Sequence, residues 1–542
     1  MNQPFPGRWL PPALAAVLVA FTLWGAWFIY RTSFVIDGER WFVLFDDAMV
    51  SMAYARNLVE GYGLNWAREG APVEGFTTPL WTAVMVPVNA LPVPAAGRSL
   101  IVQLLALAVL ALHLVVVKRL TERFFAGGER RSWLPAVVLT AAYYPLNYWG
   151  LIGMETALQA LLATGAVLLA CEMVEEGSDR TVALAVVLAL AYSTRMDMAL
   201  LAAAVVGWVH VHGGFRATRR SRLALGAGIV VAAVLGYQLF RVLYFGAPLP
   251  NTYYLKLTGI PFEVRLLRGL ATYADFFRAH ALPLLVVILG AVPLWRQRRR
   301  YQLPLVLFGL YSLYSVYVGG DGWEEAAAVR ANRFLAFVMP LVFVAFSGLL
   351  DELLSWLGGL LPRFSAHAGR YVAIAATALA LGAANGLWFD PAAAEHWRNL
   401  VVAERPMLVP SHEIVLRDLR KLERVLAPGA RVATFWAGVP AYFSDYRMVD
   451  MYGYSDAHVA RLPSARPLRV NNYRSYRPGH SKWDYGHVFR DQRPDAFLQV
   501  WHVDDATLPA VMRDRGYRQV AGFWIRDGTP LLPPARADPP PG

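Results

Sequence analysis

Long apolar segments recur along the first 388 residues of the chain, and short basic clusters separate them. Hydrophobic residues make up 56% of the 542 residues, and charged residues only 17%. A soluble protein of this length needs far more polar surface, so the pattern predicts a polytopic α-helical membrane protein. The net charge of +12 is concentrated between apolar segments, as at 216–222 and 296–300. That placement is typical of membrane topology and not of nucleic-acid binding.

Eleven apolar segments are predicted to span the membrane, with the N-terminus in the cytoplasm and the C-terminus outside. They are residues 10–30, 100–117, 133–150, 155–173, 181–196, 197–213, 224–244, 281–295, 302–319, 333–350 and 371–388. This assignment places the basic or polar linkers inside, as the positive-inside rule requires: 214–222, 296–301 and 351–370. The loops rich in polar and aromatic residues then lie outside: 32–99, 150–156, 244–280 and 319–333.

The apolar segment 79–91 is not counted as a span. It is short and is followed by Pro92 and Pro94, which is typical of an interfacial or re-entrant helix. Counting it would also move the next basic cluster to the outside, against the positive-inside rule. That cluster consists of Lys118, Arg119, Arg123, Arg130 and Arg131.

After about residue 388 charged and turn residues become more frequent, and short β-rich runs alternate with helical patterns such as 412–426. This alternation predicts a small α/β domain, which the span count places outside the cytoplasm. The predicted strands are 431–435, 448–451, 496–500 and 519–525. The chain thus divides into a membrane domain, 1–388, and an extracytoplasmic α/β domain, 389–542, with a Pro-rich end at 533–541 that is predicted to be disordered.

Two adjacent acids, Asp46 and Asp47, open a helical pattern in the predicted first outer loop, 32–99. A carboxylate pair beside a bilayer costs desolvation energy, so a membrane protein that keeps one usually uses it. The alternative is that one of the acids caps the helix that runs to Glu60.

The predicted outer loops concentrate acids, cations and aromatic residues. Acids suit proton abstraction from a hydroxyl, cations suit a phosphate, and aromatic rings suit a sugar or an isoprenoid. Together these groups predict transfer from a phosphate-linked lipid to a hydroxyl acceptor at the outer face. They are Asp46, Asp47, Glu74, Glu155, Asp197 and Asp321; Arg56, Arg195, Lys256, Arg330 and Arg333; Trp66, Trp81, Tyr253, Tyr254 and Trp323.

Six stretches carry a resemblance to the GT-C superfamily of integral-membrane glycosyltransferases, which use polyprenyl-phosphate sugars. They are 46–58 (Asp-Asp-Ala-Met-Val-Ser-Met-Ala-Tyr-Ala-Arg-Asn-Leu), 73–81 (Val-Glu-Gly-Phe-Thr-Thr-Pro-Leu-Trp), 153–158 (Gly-Met-Glu-Thr-Ala-Leu), 194–197 (Thr-Arg-Met-Asp), 248–256 (Pro-Leu-Pro-Asn-Thr-Tyr-Tyr-Leu-Lys) and 319–321 (Gly-Gly-Asp). Within the superfamily the chain most resembles bacterial terminal β-(1→2) arabinofuranosyltransferases. It departs from the pattern at Met196, where relatives often have proline, and at 322–325, where a shorter turn is common.

The resemblance implies a catalytic carboxylate in the first outer loop, with Asp46 as the first candidate and Asp47 as the alternate or helper. It implies donor-phosphate binding by Lys256, Arg195 and Arg333. The residues implied in substrate binding are Glu74, Trp81, Glu155, Asp197, Asn251, Tyr253 and Asp321. No cofactor or metal ligand is implied, although the acid pair is a candidate site for a divalent cation.

Simpler interpretations remain open for several of these residues. Glu155 is equally a candidate helix cap, Asp321 a turn residue and Trp81 an interfacial tryptophan. The histidines of the C-terminal domain lack metal-ligand spacing and are interpreted as surface residues: His458, His480 and His487.

The function implied is transfer of a sugar, with arabinofuranose the best candidate, from a polyprenyl-phosphate donor to an envelope glycan or glycoconjugate. The expected location is the bacterial inner membrane, with the C-terminal domain in the periplasm. One alternative is a mannosyl- or aminoarabinosyl-type transferase that acts on lipid A, O-antigen or protein. Another is a non-catalytic glycolipid transporter or scaffold. Whether the sugar configuration is retained or inverted is left open.

Overall fold

Apolar helices form most of the first part of the structure, a computed structural model. It describes residues 11–124, 133–291, 299–323, 332–360 and 398–533. Several predicted features lie outside these ranges: the span 371–388, most of the Pro-rich end, and Arg130, Arg131, Arg296, Arg298 and Arg330.

The helices before the C-terminal domain are, in chain order, α1 (Pro12–Arg31), α2 (Asp46–Val59), α3 (Pro79–Ala90), α4 (Ala95–Phe124), α5 (Leu134–Ala142), α6 (Tyr144–Leu151), α7 (Thr156–Glu175), α8 (Thr181–Thr194), α9 (Ala199–Val211), α10 (Arg220–Phe245), α11 (Asn251–Leu257), α12 (Phe262–Ala279), α13 (Ala281–Ala291), α14 (Gln302–Val318), α15 (Arg333–Ala336) and α16 (Met339–Leu360). A two-stranded hairpin, β1 (Ser33–Ile36) and β2 (Glu39–Phe42), lies between α1 and α2. Within the bundle α4 packs on α7, α8 on α10, and α12 on α14.

Five helices of the described residues are long and apolar enough to cross a membrane, or six if one bent pair forms a single span. They include α1, α4, α7 and α10. The prediction of eleven spans is therefore not confirmed. The predicted span 133–150 is instead the two short helices α5 and α6, which break at Tyr143 just before Pro145.

Three other apolar helices are also short. Helices α8 and α9 have 14 and 13 residues and are separated by a 3₁₀ turn at Met196–Met198. Helix α3 has 12 residues, so it is about 18 Å long and cannot cross a hydrocarbon core of about 30 Å. It packs against α2.

The C-terminal domain contains a five-stranded mixed sheet with strand order β4-β3-β5-β7-β6. Its strands are β3 (Arg431–Thr434), β4 (Arg447–Asp450), β5 (Ala496–Phe497), β6 (Tyr517–Val520) and β7 (Phe523–Arg526). Strand β3 pairs in parallel with β4 and β5, whereas β7 pairs antiparallel with β5 and β6. The helices are α17 (Val409–Glu423), α18 (Val439–Phe443), α19 (Ala457–Arg461), α20 (Tyr485–His487) and α21 (Leu508–Asp514).

The single strand predicted at 519–525 is wrong, because the segment is the turn of the hairpin β6–β7. Val520 pairs with Phe523, and the two residues between them, Ala521 and Gly522, have φ angles of 53° and 91°. A two-residue hairpin turn in which both residues have positive φ matches the twist of its strands. Alanine rarely adopts this conformation, so the apolar run conceals the turn.

The C-terminal domain packs directly on the first loop and on α11. The indole of Trp66 donates to the carbonyl of Ala437 at 2.7 Å, and the amide of Asn251 donates to the carbonyls of Gly453 and Tyr454. At Gly438 a Cβ atom would lie 2.0 Å from the carbonyl oxygen of Asp46, so only glycine allows this close approach. The docked domain therefore lies next to the first residues of α2.

Candidate active site

Asp46 and Asp47, the first residues of α2, have different surroundings. Asp46 Oδ1 accepts from the backbone N–H groups of Gly438 and Val439 at 3.0 and 2.9 Å. It thereby satisfies N–H groups at the start of α18. The N-cap position of α2 itself belongs to Phe45, and no side chain caps it. The sequence alternative of an acid that caps α2 therefore does not describe either carboxylate.

Burial raises the pKa of Asp46 to about 7, although the N–H groups of Val439 and Gly438 oppose the rise. Only 8% of the residue is exposed. In this position the Asp46 carboxylate ties α2 to the C-terminal domain.

Asp47 faces a group of cations. Its Oδ2 lies 3.1 Å from Nη1 of Arg333, and Nε of Arg333 lies 3.2 Å from Oδ2 of Asp321. Burial alone would raise the pKa of Asp47, but the positive charges of Arg333 and Lys256 hold this pKa below its usual range. Asp47 is therefore an anion beside two positive charges.

Arg195 is engaged by two acids at the break between α8 and α9. It contacts both carboxylate oxygens of Asp197, with Nη2 2.8 Å from Oδ2, and its Nη1 lies 2.9 Å from Oε1 of Glu155. Glu155 occupies the N-cap position of α7, but its side chain makes no capping bond. The carboxylate of Glu155 thus serves Arg195 and not the helix.

Lys256, near the C-terminal end of α11, has fewer partners than Arg195 and Arg333. Within the described ranges its ammonium group makes neither a hydrogen bond nor an ion pair, and it lies 5.9 Å from the ring centre of Tyr454. Burial, together with the charge of Arg333, lowers the pKa of Lys256 to about 8, while the charge of Asp47 opposes the shift. The half-buried ammonium of Lys256 lines both cavities described below without a hydrogen-bonding partner, and such a group favours an anionic ligand.

Two adjoining cavities lie beside the acids and cations described above, and the three cations line both of them. The first, the Asp47 cavity, has a volume of about 40 Å³ and contains Asp47, Ser51, Trp81 and Glu155 in its lining. The second, the Tyr253 cavity, has a volume of about 140 Å³ and is lined partly by apolar groups. The residues common to both linings are Thr77, Arg195, Thr252, Lys256 and Arg333. All three predicted phosphate-binding cations therefore lie on one shared wall.

The predicted substrate-binding residues divide into two sets. Trp81 and Glu155 line the Asp47 cavity, whereas Tyr253 and Asp321 line the Tyr253 cavity. The other three line neither cavity and have structural partners: Asp197 pairs with Arg195, Asn251 binds the C-terminal domain, and Glu74 pairs with Arg241. Asp46, the first catalytic candidate, also lines neither cavity and contacts α18.

Glu74 lies in a buried ion pair that the sequence interpretation missed. Its Oε2 lies 2.6 Å from Nε of Arg241 on α10, and its Oε1 accepts from the hydroxyl of Tyr237 at 2.6 Å. Glu74 and Arg241 are only 3% and 1% exposed. An arginine within an apolar segment is itself the sequence feature that predicts such a partner.

His480 was interpreted from sequence as a surface residue, and this is wrong. Its ring lies 5.2 Å from both Trp323 and Tyr452, and it interacts electrostatically with Asp47. Burial, together with the positive charge of Arg477, lowers the pKa of His480 to about 3. The ring is neutral at neutral pH. His458 and His487 instead pair with Asp484 and Asp456.

A metal centre has no counterpart in the described part of the chain, where no three His, Cys, Asp or Glu side chains are grouped to hold an ion. The carboxylate of Asp46 accepts from the backbone N–H of Gly438, whereas the carboxylate of Asp47 accepts from the guanidinium group of Arg333. The two adjacent acids therefore have different partners.

A family model described as a domain of unknown function, DUF8728, matches residues 412–537. No curated protein sequence matches the chain. Among solved structures, ArnT from Cupriavidus metallidurans in the apo state aligns with a TM-score of 0.51 and 11% identity, covering 89% of this chain and 92% of ArnT. ArnT bound to undecaprenyl phosphate aligns with a TM-score of 0.50 and 12% identity, covering 95% of this chain and 98% of that one.

The oligosaccharyltransferase of Archaeoglobus fulgidus in the apo form aligns with a TM-score of 0.49 and 11% identity, over 82% of this chain. The alignment spans 65% of the archaeal protein. The likeness to ArnT shows that this chain has the same overall fold, a multi-pass helical membrane protein. This fold agrees with the polytopic α-helical membrane protein expected from the sequence.

Proposed function

We propose that this chain is an integral-membrane glycosyltransferase that moves a sugar from a polyprenyl-phosphate donor to a hydroxyl acceptor. The observation that carries the proposal is the wall shared by the two cavities, where Lys256, Arg195 and Arg333 lie beside Asp47. The fold shared with ArnT, which has been crystallised with undecaprenyl phosphate, supports the same class of donor.

The donor phosphate binds first at Lys256. The two arginines already pair with Glu155, Asp197, Asp47 and Asp321, whereas the described residues offer Lys256 no carboxylate in contact. The Tyr253 cavity continues from Lys256 over apolar side chains that suit the first isoprene units: Leu257, Val318 and Phe334. The lipid therefore enters through this cavity.

Asp47 then accepts the proton of the acceptor hydroxyl. In the empty site its carboxylate is held as an anion by Arg333 and Lys256. A bound phosphate takes up part of their positive field, so the pKa of Asp47 rises towards its normal range and the carboxylate becomes a better base.

The proposed step forms one bond and breaks another. The acceptor oxygen bonds to the anomeric carbon as the bond from that carbon to the phosphate oxygen breaks. The proton goes to Asp47, and the electron pair leaves on the lipid phosphate beside Lys256. This single displacement inverts the anomeric configuration, and a retained configuration would give Asp47 a different role. Asp47 replaces Asp46 as the first candidate because Asp46 is bonded to α18.

We propose arabinofuranose as the sugar and a periplasmic envelope glycan as the acceptor. The site then faces the periplasm of the bacterial inner membrane, together with the C-terminal domain, and the N-terminus is cytoplasmic. Aminoarabinose and mannose are the competing donor sugars.

The test is donor turnover by the purified full-length protein in lipid nanodiscs. Polyprenyl-phosphate arabinofuranose, aminoarabinose and mannose are supplied separately, each with a glycan acceptor, and released polyprenyl phosphate is measured. The proposal expects turnover of one donor, with arabinofuranose first, with and without a chelator of divalent cations. Failure of all three donors to turn over or to bind would contradict it, and would favour a glycolipid transporter or scaffold.

A further inference from the structure

Aromatic side chains collect at one edge of the sheet in the C-terminal domain. Phe435 and Trp436 follow β3, Tyr452 follows β4, and Trp501 and His502 come after β5. These three strands are parallel, so their carboxyl ends meet at the same edge. In α/β sheets this edge is where ligands usually bind.

The exposed ring of His502 and the half-buried rings of Trp436, Trp483 and Trp501 form an aromatic surface, and the buried rings of Phe435 and Tyr452 pack against it. Phe435 stacks on Trp501 with ring centres 5.0 Å apart and planes inclined by 10°. Trp483 stacks on His502 at 3.9 Å and 15°. Tyr452 joins the two pairs, because it lies 4.8 Å from Phe435 and 5.8 Å from His502.

His502 keeps its position at the cost of backbone strain. Its φ angle is 65°, in the left-handed region that a non-glycine residue seldom occupies. The hydroxyl of Tyr452 lies 2.9 Å from Nε2 of His502, and the stack on Trp483 holds the other side of the exposed ring. Strained residues of this kind concentrate at binding sites, where the surrounding structure fixes them.

Two arginines border this aromatic surface, and neither forms an ion pair with a described carboxylate. Arg466 lies 5.5 Å from the ring centre of Trp483, with Nη2 3.4 Å from Nδ1 of His502. Arg477 lies 4.5 Å from the ring centre of Trp323 and donates to the carbonyl of Gly322. The nearby acid Asp484 is bonded to His458 instead.

The surface leads to the candidate active site. From Tyr452 the next ring is His480 at 5.2 Å, then Trp323 at 5.2 Å, and then Phe45 at 5.4 Å, which directly precedes the two acids of α2. Gly322, beside Trp323, lines the Tyr253 cavity. Tyr452 and Phe45 are buried, so the part of this path that a ligand can contact consists of the half-buried rings of His480 and Trp323, between the aromatic surface and the Tyr253 cavity.

We propose that this path binds the acceptor as an extended saccharide chain. The apolar faces of sugar rings pack on aromatic rings, and planar guanidinium groups donate to hydroxyl or carboxylate oxygens. The chain lies over Trp483 and His502 and passes Trp323, so that its reacting hydroxyl reaches Asp47. This inference rests on the proposed function and gives the domain of unknown function a role as the acceptor-binding part.

The test measures saccharide binding to the full-length protein in nanodiscs without donor, by saturation-transfer NMR and calorimetry. The probes are a neutral α-(1→5)-linked arabinofuranose hexasaccharide and an acidic galacturonate hexasaccharide. We expect wild type to bind at least one probe, and Trp483→Ala and His502→Gly to weaken binding at least tenfold. His502→Gly removes the ring while relieving the strained backbone, so the variant is expected to fold.

The matched control is Tyr473→Ala, because Tyr473 also has an arginine over its ring but lies outside the path. It should bind the probes like wild type. All variants should also bind polyprenyl phosphate like wild type. The inference is overturned if wild type binds neither probe, or if Trp483→Ala and His502→Gly bind as well as wild type. Saccharide binding that depends on Trp483 without turnover of any donor would count against the transferase proposal alone.

Discussion

Adjacent carboxylates on α2 have pKa values shifted in opposite directions because they face different surfaces. Neighbouring residues of a helix point about 100° apart, which directs Asp46 into the C-terminal domain and Asp47 towards Arg333. The sequence predicts the acid pair but not this difference, since it depends on partners almost 300 residues or more away. The same holds for His480, whose neighbours Trp323 and Tyr452 are distant in sequence.

Replacing Lys256 with methionine should weaken polyprenyl-phosphate binding by about 10- to 100-fold, the worth of a charge-assisted hydrogen bond. In wild type the affinity should also fall as the pH rises through about 8, because the ammonium is the binding form and its pKa is about 8. Calorimetry between pH 6.5 and 9.5 measures both effects.

The control for charge is Lys256→Arg, which stays protonated over this range and should show no such loss above pH 8. Lys118→Met, which removes a lysine paired with Glu122 at the far end of α4, should bind like wild type. Equal affinity of Lys256→Met and wild type would remove this residue from the phosphate site.

Asp46 should make stability depend on pH. Its pKa in the folded protein, about 7, is higher than in the unfolded chain, so the folded state loses stability as the pH rises from about 4 to about 7. Asp46→Asn keeps an oxygen acceptor for Gly438 and Val439 and removes the charge. It should therefore be at least as stable as wild type at pH 8.

Asp46→Ala should instead lose about 1–3 kcal/mol, because it leaves two buried N–H groups without an acceptor. Thermal unfolding in detergent at pH 5 and pH 8 compares the three proteins. An Asn variant that is markedly less stable than wild type at pH 8 would show that the carboxylate charge is needed in the fold.

At the scale of elements, the first loop is fixed to α10 by a buried ion pair. The apolar pattern predicts a span at 224–244, but it does not show that Arg241 turns towards the loop and pairs with Glu74. Secondary structure is easier to predict: the sequence places helix α17 and strands β3 and β4 to within a few residues. It fails at β6–β7 because the turn contains Ala521 in a conformation that alanine seldom adopts.

Breaking the pair between Glu74 and Arg241 should be costly. Glu74→Gln or Arg241→Met should each lower stability by about 3–5 kcal/mol, because each leaves an uncompensated buried charge. The double variant should recover a large part of this loss. Thermal unfolding of the four proteins forms a double-mutant cycle, and additive losses would contradict the buried pairing.

At the scale of the whole molecule, the C-terminal domain completes the site. Its residue Tyr454 lines the Asp47 cavity, and Pro478 lines the Tyr253 cavity. Composition predicts the domain but not the contacts that dock it, among them those of Asn251, for which the resemblance implied substrate binding instead. The amide of Asn251 donates to the carbonyls of Gly453, Tyr454 and Asp456.

Asn251→Asp should loosen this docking, because a carboxylate would face three carbonyl oxygens. Hydrogen exchange of residues 450–456 should increase, and donor turnover should fall about tenfold or more, while exchange of the β3–β4 pair stays unchanged. The exposed Asn471 offers the control Asn471→Asp, which should alter neither quantity. Unchanged exchange in Asn251→Asp would mean that another contact holds the domain.

The most direct test of the account compares sugar transfer by Asp47→Asn and Asp46→Asn, with the donor that wild type uses. Proton transfer by a positioned side chain contributes about 10²- to 10⁴-fold in rate. Asp47→Asn should therefore lose at least about 100-fold in kcat while it still binds polyprenyl phosphate, and Asp46→Asn should stay within about threefold of wild type. Full activity of Asp47→Asn, or a loss confined to Asp46→Asn in a folded protein, would contradict the assignment of Asp47 as the base.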